Sequence, residues 1–141
     1  MKYIGLLASS ICVVVVLLIN SYYNIINLDI QKMSSYVIES NMILEDFITK
    51  ESSALENKEE YISRLLNIKE CIEDTNTSFF TTKYKHYKIK SIESLVTSIA
   101  KDSDKAIELV KKYNDLSEKE LNSLLDKNLL QVTYLSTRAY E

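Results

Sequence analysis

Residues 4–19 carry no charge, and all of them are apolar or small. Tyr3 stands at one end of this stretch, and Tyr22 and Tyr23 stand at the other. A helix from Tyr3 to Tyr22 rises roughly 28 Å, close to the ~30 Å hydrocarbon core of a bilayer. Tyrosine favours the membrane–water boundary, because its ring is apolar and its hydroxyl needs water. The pattern predicts a transmembrane anchor over residues 1–21 and a separate domain over residues 22–141.

The apolar pattern does not stop at the anchor. Spacings of four and three connect Gly5, Ser9, Cys12, Val16, Ile19, Tyr23, Ile26, Ile30, Met33, Val37, Ser40, Leu44 and Phe47 without a shift of register. A stripe of this kind describes one long helix with a single packing seam, ending near Lys50. Within the membrane the seam is small: Gly5 with Ser9 and Ala8 with Cys12 form two small-xxx-small pairs, which allow close approach of transmembrane backbones. These four residues are a candidate face for self-association or for docking on another membrane protein. Outside the membrane the seam is bulky, and packing against the chain's own domain is expected.

Further helices follow. Ser53-Ala-Leu-Glu56 reads as a capping box. Behind it Tyr61, Leu65, Ile68 and Ile72 form one face, widened by Ile62 and Leu66. Asp74-Thr-Asn-Thr-Ser78 breaks that helix, since these residues bond their own backbone. A third helix is expected from about Phe79 to Lys101 with Ile92, Leu95, Val96 and Ile99 inward, although Phe79–Tyr84 also has strand propensity. Asp102-Ser-Asp104 caps a short fourth helix carrying Ala106, Ile107, Val110 and Tyr113. Ser117-Glu-Lys-Glu120 reads as a second capping box, opening a last helix with Leu121, Leu124, Leu125, Val132 and Leu135. The expected fold is all-α: one N-terminal transmembrane helix continuing into an antiparallel helical bundle.

Composition supports this class. The chain has no proline and one glycine; tight β-hairpins want glycine in their turns. Ile, Lys, Asn and Tyr supply over a third of the residues, a bias that points to an AT-rich bacterial genome. A domain of about 120 residues suffices for one core.

A cleaved signal peptide is the competing reading of the N-terminus. Signal peptides carry shorter apolar regions and small residues before the cut, whereas Ile19 occupies that position here. A lipoprotein at Cys12 is disfavoured by Ile11, and a pilin-type start by the absence of an acidic residue in the run. Lys2 and the terminal amine precede the span, and the next basic residue is Lys32. The positive-inside rule therefore predicts a cytoplasmic N-terminus and an extracytoplasmic domain. About three residues would then face the cytoplasm, too few for an output domain there.

The net charge is −3, which gives no basic surface for nucleic acid. The two cysteines, Cys12 and Cys71, are expected on opposite sides of the membrane boundary, so no internal disulfide framework is expected. Cys71 reads as a buried free thiol or an intermolecular link.

Candidate chemistry centres on the single histidine. Lys83, Lys85, His86, Lys88 and Lys90 form the densest basic patch, with Tyr84 and Tyr87 between them. Such a patch suits an acidic partner or lipid headgroup. On a helix, however, Lys83, His86 and Lys90 share one side while Lys85 and Lys88 point elsewhere, so a solvated helix segment is the simpler reading. No second histidine accompanies the carboxylates at residues 56–60 or 70–74 to build a metal site. Cys71 with His86 is the one conceivable nucleophile–base pair, and no spacing supports it. No catalytic, cofactor or metal site is expected.

The apolar anchor, the amphipathic helices behind it and the run from His86 to Ile92-Glu93 resemble small uncharacterised single-pass membrane proteins of Gram-positive, spore-forming bacteria. The likeness spans the anchor and residues 60–113, and departs in lacking a tryptophan before the histidine. It implies location and helical fold only. The expected function is non-catalytic: a scaffold or interaction subunit at the outer surface of the cell membrane, its partners being membrane lipid and a protein or a second copy of the chain. The alternative is a small-ligand-binding bundle with Tyr61, Tyr84 and Tyr113 around a pocket. An enzyme built on His86 or Cys71, and a membrane-perforating protein, are further alternatives.

Overall fold

The computed structural model describes the backbone of residues 2–49, 57–101 and 103–138, and side chains over residues 11–49, 57–101 and 103–125. Four α-helices follow one another: α1 (Lys2–Thr49), α2 (Lys58–Asp74), α3 (Thr82–Lys101) and α4 (Asp104–Arg138). A 3₁₀ turn, Phe79–Thr81, leads into α3. No strand occurs among the described residues, which resolves the ambiguity at Phe79–Tyr84 in favour of helix.

Helix α1 is a single rod of 48 residues, roughly 72 Å long. Its first part is long and apolar enough to cross a membrane, with a mean hydropathy of 1.9 over the best window. There Ile11 and every residue from Val13 to Leu18 are exposed, as a lipid-facing surface requires. From Ile26 the same helix acquires an inner face. Ile26, Met33, Val37, Ser40 and Ile43 are buried, and Tyr23, Ile30, Leu44 and Phe47 half-buried. The outer stripe of the heptad pattern is thus core of this chain. Ile43 and Asp29, off that stripe, are buried with it.

The helices alternate in direction. Arg64 of α2 donates to Glu39 of α1 through Nη2 at 2.9 Å, and Tyr61 donates to Asp46 at 3.4 Å. Lys69 of α2 reaches Glu93 of α3 at 3.1 Å. Ser91 of α3 donates to Asn114 of α4 at 2.9 Å. The core lies between them: Met33, Val37 and Ile43 meet Tyr61, Leu65, Ile68 and Ile72 of α2, Tyr84, Ile92, Leu95 and Ile99 of α3, and Val110 of α4.

Three expectations need correction. Leu66 does not widen the inner face of α2, because it is exposed. Cys71 is free but half-buried, not buried. Ser117 does not open a new helix: α4 runs through it without a break. Its hydroxyl is buried and donates back to the Asn114 carbonyl at 2.7 Å. A serine satisfied in this way sits inside a helix, and no proline or glycine is present to stop the rod. The Ser53–Glu56 box lies outside the described residues; α2 as described starts at Lys58, after Asn57. The side chains of Val132 and Leu135 also lie outside the described residues.

Candidate functional site

The polar groups of the bundle converge where the α2–α3 turn meets α1. Helix α2 ends at Asp74, with the Thr75 N–H donating to the Cys71 and Ile72 carbonyls at 3.1 and 3.2 Å. The Thr75 hydroxyl also donates to Cys71 O at 2.7 Å. Helix α2 has no basic residue in its last turn. Lys85 of α3 supplies one: its Nζ donates to the carbonyls of Glu73 and Thr75, both at 2.7 Å. A cation there satisfies unpaired carbonyls and complements the negative end of the helix dipole.

Beyond Thr75 the chain is held by α1. Asp29 is 2% exposed. Its Oδ2 accepts from the Ser78 backbone N–H at 2.8 Å, the Ser78 hydroxyl at 2.6 Å and the Thr81 hydroxyl at 2.9 Å. Lys32, one helical turn further on, lies 3.7 Å from Asp29 Oδ1 and donates to the Asn76 carbonyl at 3.1 Å. Burial pushes the Asp29 carboxyl up, but the hydrogen bonds from Ser78 and Thr81 and the Lys32 charge outweigh it, so the net shift is downward. The group stays ionised as a clamp on the turn.

Phe80 extends this clamp toward the apolar part of α1. Its ring packs edge-to-face on Tyr22, centroids 4.5 Å apart, a favourable aromatic geometry. Phe79 tilts against Phe80 at 4.0 Å but is 78% exposed.

The basic residues of α3 part company. Lys83 and His86 are exposed, and Lys85 is committed to the end of α2. Lys90 pairs with Glu93 at 2.7 Å; this hydrogen bond raises the lysine pKa and lowers that of the carboxyl. Lys88 turns inward and is 6% exposed. It reaches Asn114 Oδ1 at 3.4 Å and lies 5.9 Å from the Tyr84 ring centre. Burial lowers the Lys88 pKa against the opposing pull of Glu118. Burial, with Glu118, raises that of the Tyr84 phenol. The five residues therefore do not share one surface.

An open cleft of about 690 Å³ lies beside the turn, lined by Glu73, Asp74, Asn76, Lys85 and His86 among others. None of the three candidate tyrosines lines it. Tyr61 and Tyr84 are buried in the core at opposite ends of the α2–α3 pair, and Tyr113 is half-buried on α4. Cys71 and His86 share no hydrogen bond among the described residues, and no cluster of three metal-ligating side chains occurs there. Of the small membrane face, Cys12 is exposed; the side chains of Gly5, Ala8 and Ser9 lie outside the described residues.

The Asp29 clamp escapes sequence reading. Its one signal is a lone carboxylate placed three residues after Ile26 and four before Met33, at buried spacing on α1. Its partners lie 49 and 52 residues away, where nothing local marks them. No protein-family model, no curated protein and no solved structure matches this chain.

Proposed function

We propose that this protein is a membrane-anchored, non-catalytic interaction subunit, whose bundle is presented at the outer surface of the cell membrane to a protein partner. The observation that carries the reading is the continuity of α1. The helix whose exposed residues 11–18 suit lipid becomes, without a break, the inner wall of the bundle. The domain is thus mounted stiffly on its anchor rather than trailing from a linker. A partner in the same membrane then meets it at high effective concentration, so modest contacts suffice.

The bundle surface supports a protein rather than a small molecule as the occupant. Ile38 and Met42, one turn apart on α1, are 59% and 62% exposed, the spacing of anchors on a helix laid into a groove. Two of the three tyrosines that would line a ligand pocket, Tyr61 and Tyr84, instead fill the core. The cytoplasmic placement of the N-terminus follows from Lys2 ahead of the span.

The test is a photo-crosslinking residue at Met42 in native membranes. A discrete adduct is expected that disappears when Ile38 is changed to Glu, in a protein that stays in the membrane pellet after alkaline washing. A chain that remains in the pellet yet gives no adduct at Met42 removes the partner; a chain released by the wash removes the anchor.

A further inference from the structure

We infer that the α2–α3 turn is a second membrane contact, with Phe79 seated in the lipid interface beside the anchor. The inference rests on α1 being the anchor, and adds a lipid-binding role for a loop far from it in sequence.

Depth along α1 sets the level of the turn. The apolar run ends at Ile19, about 4.5 Å below Tyr22, and Asp29 lies about 10 Å above Tyr22. The turn hangs from Asp29 through Ser78 and Thr81. Of the two residues between them, Phe80 points back along the helix and rests on Tyr22 at 4.5 Å. Tyr22 is itself at the boundary position that aromatic side chains favour. A ring packed edge-to-face on it lies near that level, and Phe79 lies against that ring at 4.0 Å.

Exposure points the same way. Phe79 is the most exposed large apolar side chain among the described residues, at 78%, ahead of those in the span itself. Its contact with Phe80 still leaves most of the Phe79 ring in water. Against the acyl–headgroup boundary it buries its face as interfacial aromatics do. Lys83, exposed in the first turn of α3, carries its ammonium on a long stem that reaches headgroup phosphates while the ring stays lower. The clamp at Asp29 gives this arrangement its rigidity: three hydrogen bonds and the Lys32–Asn76 contact fix the turn before lipid is met.

The chain contains no tryptophan, so a single introduced one reports its own surroundings. Three full-length variants, Leu17→Trp, Phe79→Trp and Leu109→Trp, are reconstituted in phosphatidylcholine vesicles. The vesicles are made with and without lipid brominated near the headgroup end of its chains. Leu109, exposed near the start of α4, is the water-side reference. Helicity by circular dichroism should match across the set, because all three positions are exposed. The expected result is blue-shifted, bromine-quenched emission at positions 17 and 79, and unshifted, unquenched emission at 109. Quenching at 17 with position 79 behaving like 109 overturns the second contact and leaves the anchor standing. No quenching at 17 overturns the anchor and this inference together. Equal quenching at all three positions overturns the turn-specific contact.

Discussion

Where α1 packs on α2, the inner side chains are large and apolar apart from Ser40: Met33, Val37 and Ile43 against Leu65, Ile68 and Ile72. Across α3 and α4 the buried set is mixed, with polar residues beside Ile92, Leu95, Ile99, Ala106 and Val110. Ser91, Ser94 and Ser98 are buried on α3 together with Lys88, and Ser117 is buried on α4. Their hydroxyls are satisfied close to home: Ser94 donates to Lys90 O at 2.8 Å and Ser117 to Asn114 O. Ser91 and Lys88 share the Asn114 side chain. No buried side-chain polar atom is left without a partner among the described residues. The first interface draws its stability from removing apolar area from water. The second uses small side chains that let two helices come close, at the cost of polar groups that must all be paired.

The largest expected effect tests the apolar side. Leu65→Ala empties a fully buried position and should destabilise the bundle by about 2–5 kcal/mol. Thermal or denaturant unfolding of the full chain in detergent, followed by circular dichroism, reads this directly. A loss well under 1 kcal/mol would mean that the apolar interface is not what holds the domain together.

The clamp at Asp29 comes next. Asp29→Ala removes the acceptor of the Ser78 amide and hydroxyl and leaves the Thr81 hydroxyl only its longer contact to the Ser78 carbonyl at 3.3 Å. It should cost about 1–3 kcal/mol, with faster hydrogen exchange at the Ser78 amide. The sign of its pH dependence follows from the lowered pKa. The carboxylate's contribution is complete above the ordinary aspartate range and is lost as pH falls through the lowered folded value. The alanine variant should lack that acid-side loss, and an unchanged acid profile would remove Asp29 from the account.

The smallest effect tests the polar side, and its direction is opposite. Lys88→Met replaces a buried ammonium with an apolar side chain of similar size, while Ser91 and Asn114 keep each other. Stability near neutral pH should hold or rise slightly. Burial depresses the Lys88 pKa, so the unfolded chain binds more protons between the folded and ordinary lysine values. The parent's stability should therefore climb with pH through that window, with the Tyr84 phenol and the Glu118 carboxylate acting on the same ammonium site. The methionine variant should lack this climb. A marked loss of stability in Lys88→Met would show that the lysine's contacts outweigh its desolvation.

The same contrast explains what could be read from sequence. Every bulky member of the outer α1 stripe from Tyr23 to Phe47 is buried or half-buried, because apolar spacing reports burial where burial is apolar. Tyr61, Leu65, Ile68 and Ile72 on α2, and Ile92, Leu95 and Ile99 on α3, were legible for the same reason. The serines buried among them on α3 and α4 were not. Ser117 carries the residues of a helix start, yet α4 runs through it and its hydroxyl bonds back to Asn114. The basic patch was legible as residues that point apart. Its internal destinations, Lys85 on the end of α2 and Lys88 in the core, depend on helix neighbours that no local pattern names. The Asp29 clamp joins segments about fifty residues apart, and long-range polar pairing leaves no periodicity to find.

An uninterrupted shaft also fixes a compass heading. Because α1 passes from its apolar stretch into the bundle with no joint, any surface that held that stretch would choose which flank of the domain looks toward it. One residue added beside Asn20 would swing every feature above it by roughly 100°. The angular position of Ile38 and Met42 around the stem would therefore be decided some 30 Å below them, at the end of the apolar stretch.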